Sequence, residues 1–158
     1  DLFFESSQMP KEGRSWMLVL AADHLYKAKN LLSTQPERDS IAELCYIAAQ
    51  ELESNSAFVS SAKHLRNAID LIGDMGWQRN YELTLKVFTL NAEMEYCAGN
   101  QEECDKKAKE ILESAKTLSD KQPAYFVCMA GLAMRGKHEE AFDIGYSLLR
   151  KMKFSRIS

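Results

Sequence analysis

Small and hydrophobic residues recur along this chain in one spacing, used three times. It reads Phe58-x-x-Ser61-x-x-x-Leu65-x-x-Ala68, then Gln101-x-x-Cys104-x-x-x-Ala108-x-x-Ile111, then His138-x-x-Ala141-x-x-x-Gly145-x-x-Leu148. Steps of three and four residues put the marked positions on one face of a helix. A small or flexible residue stands nine places before each copy, at Ala49, Ala92 and Met129, inside a helical segment of its own. The last two copies are opened by a glycine and a polar residue, Gly99-Asn100 and Gly136-Lys137. The predicted unit is therefore helix, tight turn, helix. Such a unit cannot bury its apolar face alone, so neighbours must stack. The pattern predicts an all-α fold of antiparallel helix hairpins, about seven helices stacked as a right-handed α-solenoid.

Residues 1–13 form a lead-in that contains Pro10 and Gly13. An N-terminal helix and turn occupy 14–40, with Ser15 as the cap and Leu18, Ala21, Leu25, Ala28 and Leu32 along one stripe. Helix pairs follow over 41–73, 77–118 and 122–153. Pro36 suits the first turn of the second helix, and Gly73-Asp74-Met75-Gly76 is the clearest mid-chain break. The fourth helix, about 77–98, carries two apolar stripes. One holds Trp77, Tyr81, Leu85, Phe88, Ala92 and Tyr96; the other holds Leu83, Val87, Leu90, Met94 and Cys97. Two stripes predict burial on two sides, with Trp77 docked against Leu65, Ile69 and Ile72. Asn100, with Glu103 three residues on, is expected to cap the fifth helix, and Ser119 to Pro123 to form the turn into the sixth. Ala49, Ala68, Ala92, Ala108 and Ala141 provide the small side chains that close helix crossings need.

Composition narrows the functional classes. A net charge of −3 leaves no basic footprint for nucleic acid. No apolar run approaches the ~18 residues of a membrane span, and no signal-peptide pattern is present. A cytoplasmic location is expected. Cys45, Cys97, Cys104 and Cys128 lie in apolar helical stripes with no CxxC, so reduced thiols are expected; Cys97 and Cys104 flank a turn and are the one pair placed to approach. The histidines His24, His64 and His138 lack metal-ligand spacing with them.

Features that suggest chemistry each have a structural reading. Gly131-x-x-x-x-Gly136-Lys137-His138 resembles a phosphate-binding loop, but histidine stands where the hydroxyl should be and no strand precedes it. Glu93 and Glu95, two apart on a helix, point to different faces. Glu102, Glu103 and Asp105 suit a helix N-terminus. Asp23-His24 has no nucleophile elbow to serve, and Lys106-Lys107 reads as a solvated face. No catalytic constellation, metal site or cofactor follows.

The small residues at fixed places resemble the tetratricopeptide repeat (TPR), over about 42–155. A second resemblance rests on Trp77-x-x-x-Tyr81-Glu82-Leu83-Thr84-Leu85 and Ala92-Glu93-Met94-Glu95-Tyr96-Cys97-Ala98-Gly99-Asn100. With Ala62-x-x-Leu65-Arg66-x-Ala68-Ile69-x-Leu71 before it and Ala115-x-Thr117-Leu118-x-Asp120-Lys121 after it, this stretch is similar to the helical region of large multidomain signalling ATPases, which join serine/threonine kinase, ATPase, GAF and histidine-kinase modules. The resemblance covers most of 20–150. It implies a scaffold region between an ATPase and an output module, cut from a longer protein, as a chain opening on Asp1 without methionine also suggests.

The function expected is non-catalytic: protein interaction or scaffolding within a signalling protein, or a freestanding adaptor that binds a peptide in a concave groove. Outward positions on the first helix of each pair give the groove residues Glu43, Tyr46 and Gln50, then Lys86, Thr89, Glu93 and Tyr96, then Phe126 and Ala130. This set lacks the basic clamp for a C-terminal carboxylate, so a chaperone EEVD peptide is not an expected partner. A basic and apolar segment is, whether from another protein or from an adjacent domain.

Overall fold

A computed structural model describes residues 11–155, and side chains over 13–153. The described residues are helical with short connections and no strand: α1 (Lys11–Lys27), a 3-10 turn (Lys29–Leu31), α2 (Gln35–Ser54), α3 (Phe58–Ile72), the single turn α4 (Gly76–Arg79), α5 (Tyr81–Cys97), α6 (Gln101–Ser114), α7 (Leu118–Met134) and α8 (His138–Ser155). They form two compact units, divided between Arg79 and Asn80.

In the first unit α2 and α3 pack along their lengths, and α1 lies against both. Burial on α2 falls on Ile41, Ala42, Cys45, Ala48 and Ala49, a step of three and four with small side chains at the crossing. Ala62, Leu65, Ala68, Leu71 and Ile72 answer from α3. The approach is close enough for the buried Ser61 hydroxyl to donate to the Ala49 carbonyl at 2.8 Å. Thr34 caps α2 in a capping box: its hydroxyl accepts from Glu37 N, and the Glu37 carboxylate accepts from Thr34 N at 3.0 Å. Carbonyls at the end of α3, which have no intrahelical donor, are met by side chains. Gln35 donates to Leu71 O at 3.0 Å, and Arg79, ion-paired with Asp39, donates to Ile72 O at 3.0 Å.

In the second unit α5 packs on α6, α7 on α8, and α7 also on α5 and α6. Two α7 and α8 glycines allow close contacts. A Cβ at Gly131 would lie 2.5 Å from Gln101 Nε2, and one at Gly145 would lie 3.1 Å from Met129 Sδ. Tyr81 ties the starts of α5 and α7: it donates to Asp120 at 2.7 Å, accepts from Lys116 N at 2.8 Å, and has the Lys116 ammonium 4.2 Å from its ring centre.

Three connections, 55–57, 98–100 and 135–137, share one hydrogen-bond pattern. Ala57 N, Asn100 N and Lys137 N donate five residues back, to Leu52 O, Glu95 O and Leu132 O; Ser56 N, Gly99 N and Gly136 N donate three back, to Glu53 O, Tyr96 O and Ala133 O. This is the Schellman arrangement, with its central residue left-handed. Gly99 has φ 81° and Gly136 φ 75°, whereas Ser56 takes φ 58° without being glycine. The helices that follow begin at Phe58, Gln101 and His138, the first residues of the three sequence copies.

The structure differs from the sequence reading at five places. The first helix is already formed at Lys11, so Ser15 lies inside it; Leu25 is exposed and Ala22 is the residue it buries fully. The helix expected over 77–98 breaks at Asn80 (φ −141°, ψ 71°), leaving Trp77 half-buried in α4. Asn100 makes no side-chain cap on α6, because its amide turns back to Glu95. The sixth helix starts at Leu118 under a Thr117 cap, which puts Ser119 to Pro123 inside the helix rather than in a turn, with Pro123 removing one intrahelical N–H donor. Cys97 is exposed rather than in a buried stripe. The lead-in expected over 1–13 falls outside the described residues as far as residue 10.

Candidate functional site

Glu43, Tyr46 and Gln50 form one row on α2, where i, i+3 and i+4 steps bring side chains together. Glu43 and Gln50 are exposed, Tyr46 is half-buried, and Gln50 Nε2 donates to Tyr46 Oη at 3.2 Å. In the second unit Lys86, Thr89, Glu93 and Tyr96 run along α5, all half-buried. Phe126 and Ala130 stand on the adjacent α7, with Phe126 67% exposed. The two helices are joined at one end by the Tyr96 hydroxyl, which donates to Met134 Sδ at 3.1 Å. An aromatic and a thioether thus meet at the ends of α5 and α7, and Phe126 lies two helical turns before that contact on α7.

Helix α5 also carries a polar row that periodicity of apolar residues does not reveal: Thr84, Asn91 and Glu95, all buried and interleaved with Phe88. Thr84 donates to Asn80 O at 2.8 Å. The Glu95 carboxylate, fully buried, accepts from Asn100 at 2.8 Å and from Asn91 at 3.4 Å. The same Asn100 gives its backbone N–H to Glu95 O, so this carboxylate holds the turn between α5 and α6. Glu93, two residues earlier, is half-buried and lies on another face.

The remaining candidates resolve into packing. Gly131 is helix interior, placed by Gln101, whose amide donates to Asp105 at 2.8 Å; Arg135 meets the same carboxylate at 3.0 Å. Gly136 is the left-handed turn residue, and His138 opens α8. Asp23 accepts from Lys27 at 2.6 Å and Lys63 at 3.3 Å, and the Lys27 ammonium foremost holds its carboxyl below the usual range; His24 is exposed. Lys106 pairs with Glu102 and Glu103, while Lys107 is half-buried, its ammonium 5.2 Å from the Phe88 ring centre.

All four cysteines are thiols. Burial pushes the Cys45 and Cys104 thiols up to about 12 and raises Cys128 as well. Such thiols are inert packing groups. Among the described residues no cluster of histidine, cysteine and carboxylate has the makings of a metal site, and no helix is long and apolar enough to cross a membrane.

No protein-family model, no curated protein and no solved structure matches this chain. The site rests on its own geometry.

Proposed function

We propose that this chain is a non-catalytic interaction and scaffold module, a TPR-like right-handed stack of antiparallel helix hairpins serving inside a cytoplasmic multidomain signalling ATPase or sensor kinase. The observation that carries the reading is the recurrence of one turn. Three connections share the same hydrogen bonds, and each launches a helix at the first residue of a sequence copy. Of the small residues at the repeated places, Ala49, Ala68, Ala92 and Ala108 are buried, as close crossing requires, and Ala141 is half-buried. The Trp77–Asn100 resemblance supplies the signalling context.

A second reading, a freestanding adaptor, is favoured by the exposed Phe126 on α7, the helix that packs against α5. Exposed aromatics on a rigid helix face are the usual anchors of a peptide interface. Both readings assign the guest the same chemistry: an extended or helical segment with basic and apolar residues. The test is fluorescence anisotropy with a fluorescein-labelled helical peptide of lysines and leucines. Saturable binding is expected, weakened by Phe126→Ala and by Glu93→Lys, and absent for a peptide ending in EEVD. Binding unchanged by both substitutions refutes the α5–α7 surface. A Glu93→Lys chain that melts earlier makes that residue structural and removes it from the site.

A further inference from the structure

Helix α8 presents a second surface that the reading above does not use. Its Ala141, Ile144, Gly145 and Leu148 are half-buried, and Gly145 comes close to Met129 of α7. Turned away from that contact is a stripe at i, i+4 and i+7: Phe142, 70% exposed, Tyr146, 57%, and Leu149, 65%. Phe142 and Tyr146 are stacked on each other, with centroids 6.2 Å apart and planes within 9°. Three large apolar side chains in line on one helix make a contiguous patch, and such patches mark interaction sites.

Charge along α8 says what covers the patch. Glu139 and Asp143 flank the stripe before its midpoint and share a depression with Phe142. Arg150 and Lys151 flank it after the midpoint and share a depression with Tyr146. The helix surface is therefore acidic at one end, apolar in the middle and basic at the other. Its own complement is the same helix reversed.

We propose that this face is the interface of a homodimer in which α8 pairs antiparallel with α8 of a second copy, about a two-fold axis near Tyr146. At a rise of 1.5 Å per residue, reversal about residue 146 brings Asp143 and the second copy's residue 150 within roughly 1.5 Å along the axis, and aligns 139 with 153. Each acidic position then faces a basic one, twice over, as an isologous contact demands. Phe142 packs across Leu149 of the other copy, and the two Tyr146 rings meet at the axis. A parallel pairing sets like charges together and is disfavoured. One helix pair is smaller than the standard interface of about 800 Å² per partner, which places the dimer at the weak, exchanging end of association.

Sedimentation velocity on the whole chain, from low to several hundred micromolar, tests this. A reversible monomer–dimer equilibrium is expected. Phe142→Glu should abolish it with the helical circular dichroism unchanged, because the residue is exposed. Asp143→Arg and Arg150→Asp should each weaken self-association by roughly tenfold or more, since like charges then oppose. Mixing those two single variants should restore a dimer, because each provides the charges the other lacks. A chain that stays monomeric at every concentration assigns the stripe to a different occupant and overturns the proposal. So does a dimer indifferent to these substitutions, or a mixture that fails to associate.

Discussion

Exchanging the central residues of the three turns isolates a backbone effect from a packing effect. At Gly99 and Gly136 an added Cβ meets nothing within 4 Å, so any penalty for a side chain there comes from the positive φ alone. The left-handed conformation costs a non-glycine residue about 1–2 kcal/mol. Replacing glycine stiffens the unfolded chain and returns about 0.4–1 kcal/mol. Gly99→Ser and Gly136→Ser should therefore each destabilise by about 1 kcal/mol, the difference of those two terms. Ser56 already carries the penalty at φ 58°, so Ser56→Gly should stabilise by about the same amount. Urea unfolding is the assay, with the midpoint compared at constant slope so that the change reports stability alone. In a scan, a shift of that size is about 2–4 °C for a chain of this length. Two glycine variants with unmoved midpoints, or a Ser56→Gly chain that unfolds earlier, would refute the argument that the turns are equivalent.

Other outcomes follow from single contacts. Gly145→Ala should stabilise by up to about 1 kcal/mol by helix propensity, since the Met129 thioether is flexible enough to give way. Gly131→Ala should instead be neutral or destabilising until Gln101→Ala removes the amide 2.5 Å from the new methyl; a double variant no more stable than Gly131→Ala sinks this account. The carboxyls of Asp70 and Asp120 are held below the ordinary aspartate value, by the Lys29 ammonium and the Tyr81 hydroxyl respectively. A folded value below the unfolded one means that their stabilisation is complete above about pH 4–5 and is lost as pH falls through the folded values. Asp120→Asn should flatten the acid limb of the urea midpoint plotted against pH, and an unaltered limb counts against that assignment. With a thiol reagent in native buffer, Cys97 should react first and Cys45 and Cys104 last, and unfolding should release four equivalents; fast reaction at Cys104 contradicts its burial.

What the sequence revealed and what it hid divide along physical lines. Starts of α3, α6 and α8 were legible because three-and-four spacing repeated and glycine marked two of the turns. The turn at Asn55-Ser56 was legible as the end of a helix but not as a match to the other two, because Ser56 takes the left-handed place of glycine without its signature. The break at Asn80 was hidden by apolar stripes that run straight through it, since periodicity reports faces and not continuity. Thr84, Asn91 and Glu95 went unseen as buried residues for a related reason: polar side chains with local partners fill core positions that hydrophobicity never marks. The Phe142–Tyr146–Leu149 stripe was there to be read at i, i+4 and i+7, but the inward copy His138, Ala141, Gly145 and Leu148 drew the eye to the opposite side of the same helix.

The clasp at the end of α3 has a consequence for how the first unit opens. Gln35, at the start of α2, and Arg79, at the end of α4, both reach the last carbonyls of α3, so the stretch from 35 to 79 is closed on itself by polar bonds. Helix α1 lies outside that closure. Among its described side chains only Ala22 is fully buried, and polar ties such as Tyr26 to Asp70 and Asp23 to Lys63, with Lys29 of the following turn to Asp70, hold it to α3. Exposed ion pairs of this kind are weak and screened by salt. The amides of α1 therefore exchange with solvent through a low-energy opening that leaves α2 and α3 protected, and added salt widens the gap between the two rates.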